Sequence, residues 1–103
     1  MQNKVKEFNL NKGCHTKEMP VYARMLDIIS EMGEFSKEYL KPTKYGTNDF
    51  VVTEDFKMEF GDVLYSLLSL ANETKIDAEE CLNMAIEKYT KRIENKKNIG
   101  SGR

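Results

Sequence analysis

A chain of 103 residues with 16 basic and 17 acidic side chains carries a net charge of -1. That length fits one domain, 1–103, and the charge balance excludes a general nucleic-acid binder, which would show a surplus of Lys and Arg. No apolar run reaches across a bilayer, the first residues, MQNKVKEF, lack the apolar stretch and cleavage site of a secretory leader, and Cys14 and Cys81 are therefore expected to be reduced thiols of a cytoplasmic protein.

The first predicted element is a short helix over residues 3–8, followed by a polar connection over 9–16 around Gly13. A long helix starts near Pro20, a residue suited to the first helical position, and stops at about Lys41, before Pro42. Val21, Met25, Ile28, Met32, Phe35 and Tyr39 recur along it at helical spacing and predict its buried stripe. Residues 42–52 contain Pro, Gly, Asn and Asp and predict a loop. Thr53 is placed to cap the next helix, with Glu54 and Asp55 in its first turn. Its apolar positions are Phe56, Phe60, Val63, Leu64, Leu67, Leu70 and Ala71, and it is expected to end near Thr74. Asp77 with Glu80 three residues on reads as a capping box with Asp in the Ser/Thr place. The helix it opens is expected to turn Leu82, Ile86, Tyr89 and Ile93 inward. The basic, Gly-containing end from about 96 predicts a loose tail. Three substantial helices with short links imply an all-α antiparallel helical bundle. Leu64, Leu67 and Leu68 run around one helix, a face too wide for so small a chain to cover, and predict a homo-oligomer, dimer or tetramer.

Two helices carry acidic faces. On the first long helix Asp27, Glu31, Glu34 and Glu38 are spaced four, three and four apart, within a stripe of about 60°. On the second, Asp55, Glu59, Asp62 and Glu73 form a similar stripe with Ser66 and Ser69. A single acidic stripe is ordinarily a solvated face. Such faces usually mix signs, however, because like charges one turn apart repel, and here the middle of the first stripe is uniformly acidic. A divalent cation converts that repulsion into binding. Mg²⁺ takes oxygen ligands, keeps several waters and commonly joins carboxylates to substrate phosphates.

The stretch SEMGEFSKEYLK followed by EFGDVLYSLLSLAN resembles the MazG-like family of all-α nucleoside triphosphate pyrophosphohydrolases. That family's signature is E-E-x-x-E, a spacer, then E-x-x-D. Here it reads Ser30-Glu31-Met32-Gly33-Glu34 and Glu59-Phe60-Gly61-Asp62, with Ser30 where the signature has its first Glu. The resemblance extends to about Arg92. It implies that Glu31, Glu34, Glu59 and Asp62 ligate Mg²⁺, with Mn²⁺ able to substitute. It also implies hydrolysis of an NTP or dNTP to the monophosphate and pyrophosphate, as in house-cleaning of the nucleotide pool. One carboxylate of the cluster would accept the proton of the attacking water, and Glu34 is the candidate.

Other residues supply candidates for substrate binding. The resemblance implies that the segment 88–92, through Lys88 and Arg92, contacts phosphates; an ordinary solvated basic face is the competing reading. Lys37, with Lys41 one turn on, has the same two readings. Asn72 can hydrogen-bond sugar or base, and Tyr65 can stack or pack at an interface. Tyr45, Gly46 and Phe50 in the loop are placed to cover a base, or simply to cap a core. His15 is the only histidine; beside Cys14 and far from Cys81 it matches no zinc spacing, and a di-iron bundle needs Glu-x-x-His twice. The alternatives are a phosphoribosyl-ATP pyrophosphohydrolase, a dUTP or dCTP hydrolase, and, outside enzymes, a helical interaction module with a lapsed metal site.

Overall fold

Thr53 and Asp77 begin the two helices whose starts the sequence marks most clearly. In the computed structural model, which describes residues 1–14 and 20–101 and side chains as far as 97, Thr53 Oγ1 accepts from Phe56 N at 3.0 Å. Asp77 Oδ1 accepts from Glu80 N at 3.1 Å. Each bond satisfies one of the N–H groups that a helix start leaves without an intrahelical partner. The chain folds as α1 (Gln2–Lys12), α2 (Val21–Leu40), α3 (Glu54–Glu73) and α4 (Ala78–Ser101), with no strand among the described residues. The all-α expectation holds.

α1 is longer than the sequence suggested. Gly13, at φ 69°, ends it, and Cys14 N bonds back to Asn9 O at 2.9 Å, a glycine stop that only a residue without a Cβ adopts easily. Asn9 therefore belongs to the helix rather than to a connection, and it is buried. Its carboxamide is satisfied by α3: Nδ2 donates to Ser69 Oγ at 3.1 Å, and Oδ1 accepts from Tyr65 OH at 2.5 Å. His15, and any pairing of it with Cys14, lies outside the described residues.

α3 is the central helix. It supplies the buried apolar residues Val63, Leu68 and Ala71, and both α1 and α2 pack on it. The numbering runs in opposite directions across each pair. Arg24 meets Glu73 at one end of α2–α3, and at the other end Phe35 meets Phe56 and Phe60 at ring distances of 4.7 and 5.9 Å. Across α1–α3, Asn9 meets Tyr65 and Ser69 while Gln2 reaches Asn72, Ile76 and Ala78. Helices α1 and α2 thus each run antiparallel to α3, and the α2–α3 pairing is that of the expected bundle.

The α2–α3 loop is held by Thr43, which is fully buried. Its hydroxyl donates to Tyr39 O and accepts from Gly46 N at 3.1 Å. Three successive residues, Lys44, Tyr45 and Gly46, take positive φ. Phe50 returns over Tyr39 and Phe56 at 5.3 and 5.1 Å, which stitches the loop to both helices.

α4 departs from the sequence-based expectation. Leu82, Ile86, Tyr89 and Ile93, expected to face inward, are exposed by 58, 52, 53 and 57%, because among the described residues α4 packs extensively against no other helix. It also continues past Lys96 to Ser101, where the sequence suggested that the helix had ended. The radius of gyration is 18.2 Å, against about 13 Å for a compact domain of this length.

Candidate metal and phosphate site

The antiparallel register of α2 on α3 brings the two acidic stripes face to face. Glu31 from α2 and Glu59 and Asp62 from α3 each offer a carboxylate oxygen, and these oxygens lie within 4.8 Å of one another. Asp62 is one helical turn from Glu59, and the α2–α3 pairing between Arg24–Glu73 and Phe35–Phe56 sets Glu31 across from both. The structure therefore assembles three of the four acids expected as ligands.

Charge crowding is visible in the proton affinities. Glu31 holds its proton more tightly than an ordinary carboxyl, first because neighbouring atoms shield it from water, then because Asp62, Asp27 and Glu34 repel its charge. Glu59 is raised for the same first reason, with Asp62, Glu31, Glu38 and Glu34 adding repulsion. Among the described residues no Lys or Arg pairs with Glu31, Glu59 or Asp62. The nearby cations are spent outward: Lys37 on Glu34 at 3.4 Å, Lys41 on Glu38 at 3.7 Å and Lys57 on Glu54 at 3.0 Å. Uncompensated negative charge at one point suits a hard cation. The donor set is all carboxylate oxygen, without imidazole or thiolate, which fits Mg²⁺ or Mn²⁺ rather than zinc or copper. Glu31, Glu59 and Asp62 would hold such an ion, whose further oxygen ligands would be water and phosphate.

Glu34 stands one turn along α2 from Glu31, close enough to repel both Glu31 and Glu59, but outside the three-acid group. Its carboxylate is half exposed beside Lys37. Glu38 belongs to the same charge field and its side chain is only 14% exposed. Glu38 is absent from the family's signature, and its spacing of four from Glu34 is the sequence signal that it shares the acids' charge field.

The structure gives Tyr65 and Asn72 a different neighbourhood from the acids. Tyr65 donates to buried Asn9 and sets its ring edge-on to Phe8 at 6.0 Å; burial raises its phenol, with Cys14 adding to the effect. Asn72 Nδ2 donates to Gln2 O at 3.3 Å. Both side chains serve the α1–α3 contact. Lys88 and Arg92 lie one turn apart on exposed α4, flanking the Tyr89 ring at 4.7 and 6.0 Å, and neither pairs with an acid of the cluster. Tyr45 and Phe50 remain with the loop. No helix among the described residues is long and apolar enough to cross a membrane.

Comparison with known proteins bears on this arrangement. Residues 22–96 match the profile of the MazG nucleotide pyrophosphohydrolase domain, a span that contains α2 from its second residue, the acidic cluster and Arg92 but leaves out α1. Over 73 residues the chain is 36% identical to the uncharacterized protein YpjD of Bacillus subtilis (strain 168), covering 68% of this chain. The chain spans 64% of that relative's length. No solved structure matches it.

Proposed function

We infer that this chain, which belongs to the MazG nucleotide pyrophosphohydrolase family, hydrolyses a nucleoside or deoxynucleoside triphosphate to the monophosphate and pyrophosphate. The single observation that carries this reading is the convergence of Glu31, Glu59 and Asp62 across the α2–α3 interface. Carboxylates repelling one another at that spacing are poor structural elements, and they are good ligands. We assign them to Mg²⁺, with Mn²⁺ able to substitute. Bound there, the ion supplies neutralisation of phosphate charge and a lowered pKa for water.

The chain's own groups do the rest. Glu34 is placed beside the cluster with an exposed, weakly held carboxylate, free to turn inward. It takes the proton of the water whose oxygen attacks the α-phosphorus, as the bond to the bridging oxygen breaks and pyrophosphate leaves. Lys88 and Arg92 hold the departing phosphates, and Lys37 is released from Glu34 to join them. Tyr65 and Asn72 act at one remove, by shaping α3 beneath the substrate.

α4 stands away from the cluster within one chain, and its exposed apolar residues Leu82, Ile86, Tyr89 and Ile93 adjoin no cover. On α2, Tyr22, Met25, Leu26 and Ile29 are also exposed, by 53–68%. The accessible surface is 8495 Å², where a compact monomer of this mass exposes about 6,000 Å². The difference is of the size that a permanent subunit interface buries. This supports a homo-oligomer, dimer or tetramer, in which α4 finds its cover on another copy. Turnover of the nucleotide pool in the cytoplasm is the setting such an activity fits.

The experiment is pyrophosphate release from each common NTP and dNTP with Mg²⁺. Pyrophosphate from at least one, abolished by EDTA, supports the reading. Release of single phosphate, or activity indifferent to EDTA, refutes it. A phosphoribosyl-ATP pyrophosphohydrolase and a dUTP or dCTP hydrolase are distinguished by the same panel extended to phosphoribosyl-ATP.

A further inference from the structure

α4 carries Lys88 and Arg92, yet little of its own chain holds it in place. Its direction is set where it leaves α3, over the short link 74–77. α3 closes with Thr74 N on Leu70 O at 3.0 Å and Ile76 N on Ala71 O at 3.0 Å, and Lys75 takes φ 59°. α4 then begins at Ala78. One side chain from another part of the sequence spans this link. Gln2 Nε2 donates to Ile76 O at 2.7 Å, and Gln2 Oε1 accepts from Ala78 N at 2.7 Å. The carboxamide thus bonds a carbonyl of the link and the first N–H of α4, and supplies α4 with a partner that its own start lacks.

Gln2 is itself held. Its backbone carbonyl accepts from Asn72 Nδ2 at 3.3 Å. Seven residues along α1, Asn9 is locked between Tyr65 and Ser69. α1 leaves Leu10 65% exposed, and its Phe8, 47% exposed, meets α3 only through its edge-on contact with Tyr65 among the ring contacts of the described residues. Polar contacts about two turns apart, at Gln2 and Asn9, set its register. Geometrically specific bonds of this kind fix position better than apolar contact does.

We propose that α1, which lies outside the matched family span, is a brace, and that Gln2 is a positioning residue that fixes the angle at which α4 leaves α3. This rests on the reading that Lys88 and Arg92 bind the substrate's phosphates. Because Lys88 lies ten residues beyond Ala78, it is about 15 Å along the helix from the link. A small change of angle at Gln2 displaces it by several ångströms.

The test compares wild type, Gln2→Met and Gln2→Glu in the full chain, by steady-state pyrophosphate release and by amide exchange across residues 79–85. Gln2→Met keeps the length of the side chain and removes both bonds. It is expected to raise KM roughly tenfold with kcat and the Mg²⁺ requirement little changed, as loss of binding alone should, and to speed exchange over 79–85. Gln2→Glu keeps the acceptor for Ala78 N beside a helix start that favours negative charge but sets a carboxylate oxygen against Ile76 O, and should recover only part of the wild-type KM. A lowered melting temperature with unchanged KM and unchanged exchange over 79–85 would overturn the proposal, because a staple of stability alone gives that pattern. If wild type releases no pyrophosphate, the functional reading fails, and the exchange measurement still decides whether Gln2 braces α4.

Discussion

The Nε of Arg24 lies 2.9 Å from both carboxylate oxygens of Glu73, tying the first turn of α2 to the last turn of α3. The two side chains are only 13 and 23% exposed. Removing one partner takes a charge-assisted contact from a side chain that is largely shielded from water. Arg24→Ala is expected to destabilise the protein by about 2 kcal/mol, below the full cost of a wholly buried pair because both groups keep some water. The check is a denaturant titration of Arg24→Ala, Glu73→Ala and the double variant. A double variant as stable as either single variant confirms the coupling; additive losses contradict it.

The Asn9 carboxamide joins Ser69 and Tyr65 in a buried network with no room for error, since Ser69 is 1% exposed. Asn9→Leu is expected to cost about 1–3 kcal/mol by taking one hydrogen bond from buried Ser69 and one from half-buried Tyr65. Tyr65→Phe in the same background should return part of that loss. Thermal melts of the three proteins decide it.

Glu31 and Glu59 both bind protons more tightly than at the ordinary 4.5. The folded state thus binds more protons than the unfolded chain between that value and the raised one. Without metal, stability is then lost as pH rises through this window, and the loss is absent below it. In EDTA, Glu59→Gln should melt above wild type at about pH 7, and the gap should close toward about pH 4. A gap that is constant across that range contradicts the crowding.

Glu34 is exposed beside Lys37, so its replacement leaves nothing buried unpaired. Glu34→Gln is expected to lower kcat by about a hundredfold or more, the usual worth of a positioned base, with the fold unchanged by circular dichroism. Turnover within a few-fold of wild type would remove Glu34 from the mechanism.

Ile29 and Ile86 are exposed by 66 and 52%. In a monomer, Ile29→Glu or Ile86→Glu would change stability by roughly 0.5 kcal/mol or less. In an oligomer each should split the assembly. Sedimentation of wild type is expected to give a multiple of 11.9 kDa, and of the variants a smaller species.

Much of this was legible in the sequence. Thr53 and Asp77 mark helix starts through cap chemistry that depends on neighbours three residues away, and both hold. The acidic register was legible because Glu31 and Glu59–Asp62 repeat at helical spacing on two helices that the Arg24–Glu73 and Phe35–Phe56 contacts then align. What the sequence could not show depends on distant partners. Asn9 resembles a turn residue until Ser69 and Tyr65, about sixty residues away, supply its bonds. Gln2 carries no local signal at all. The stripe Leu82–Ile86–Tyr89–Ile93 marks a buried face, and periodicity does not say whether the cover comes from the same chain.

The central claim is that Glu31, Glu59 and Asp62 bind the metal. It is tested most directly by thermal melts of wild type and Asp62→Asn, each in EDTA and in Mg²⁺. In EDTA the variant should equal or exceed wild type, because one repelling charge has gone. Saturating Mg²⁺ should raise wild type by about 2–3 kcal/mol at a hundred times its dissociation constant, and the variant by much less. Equal shifts in the two proteins, or none in wild type, would contradict the account.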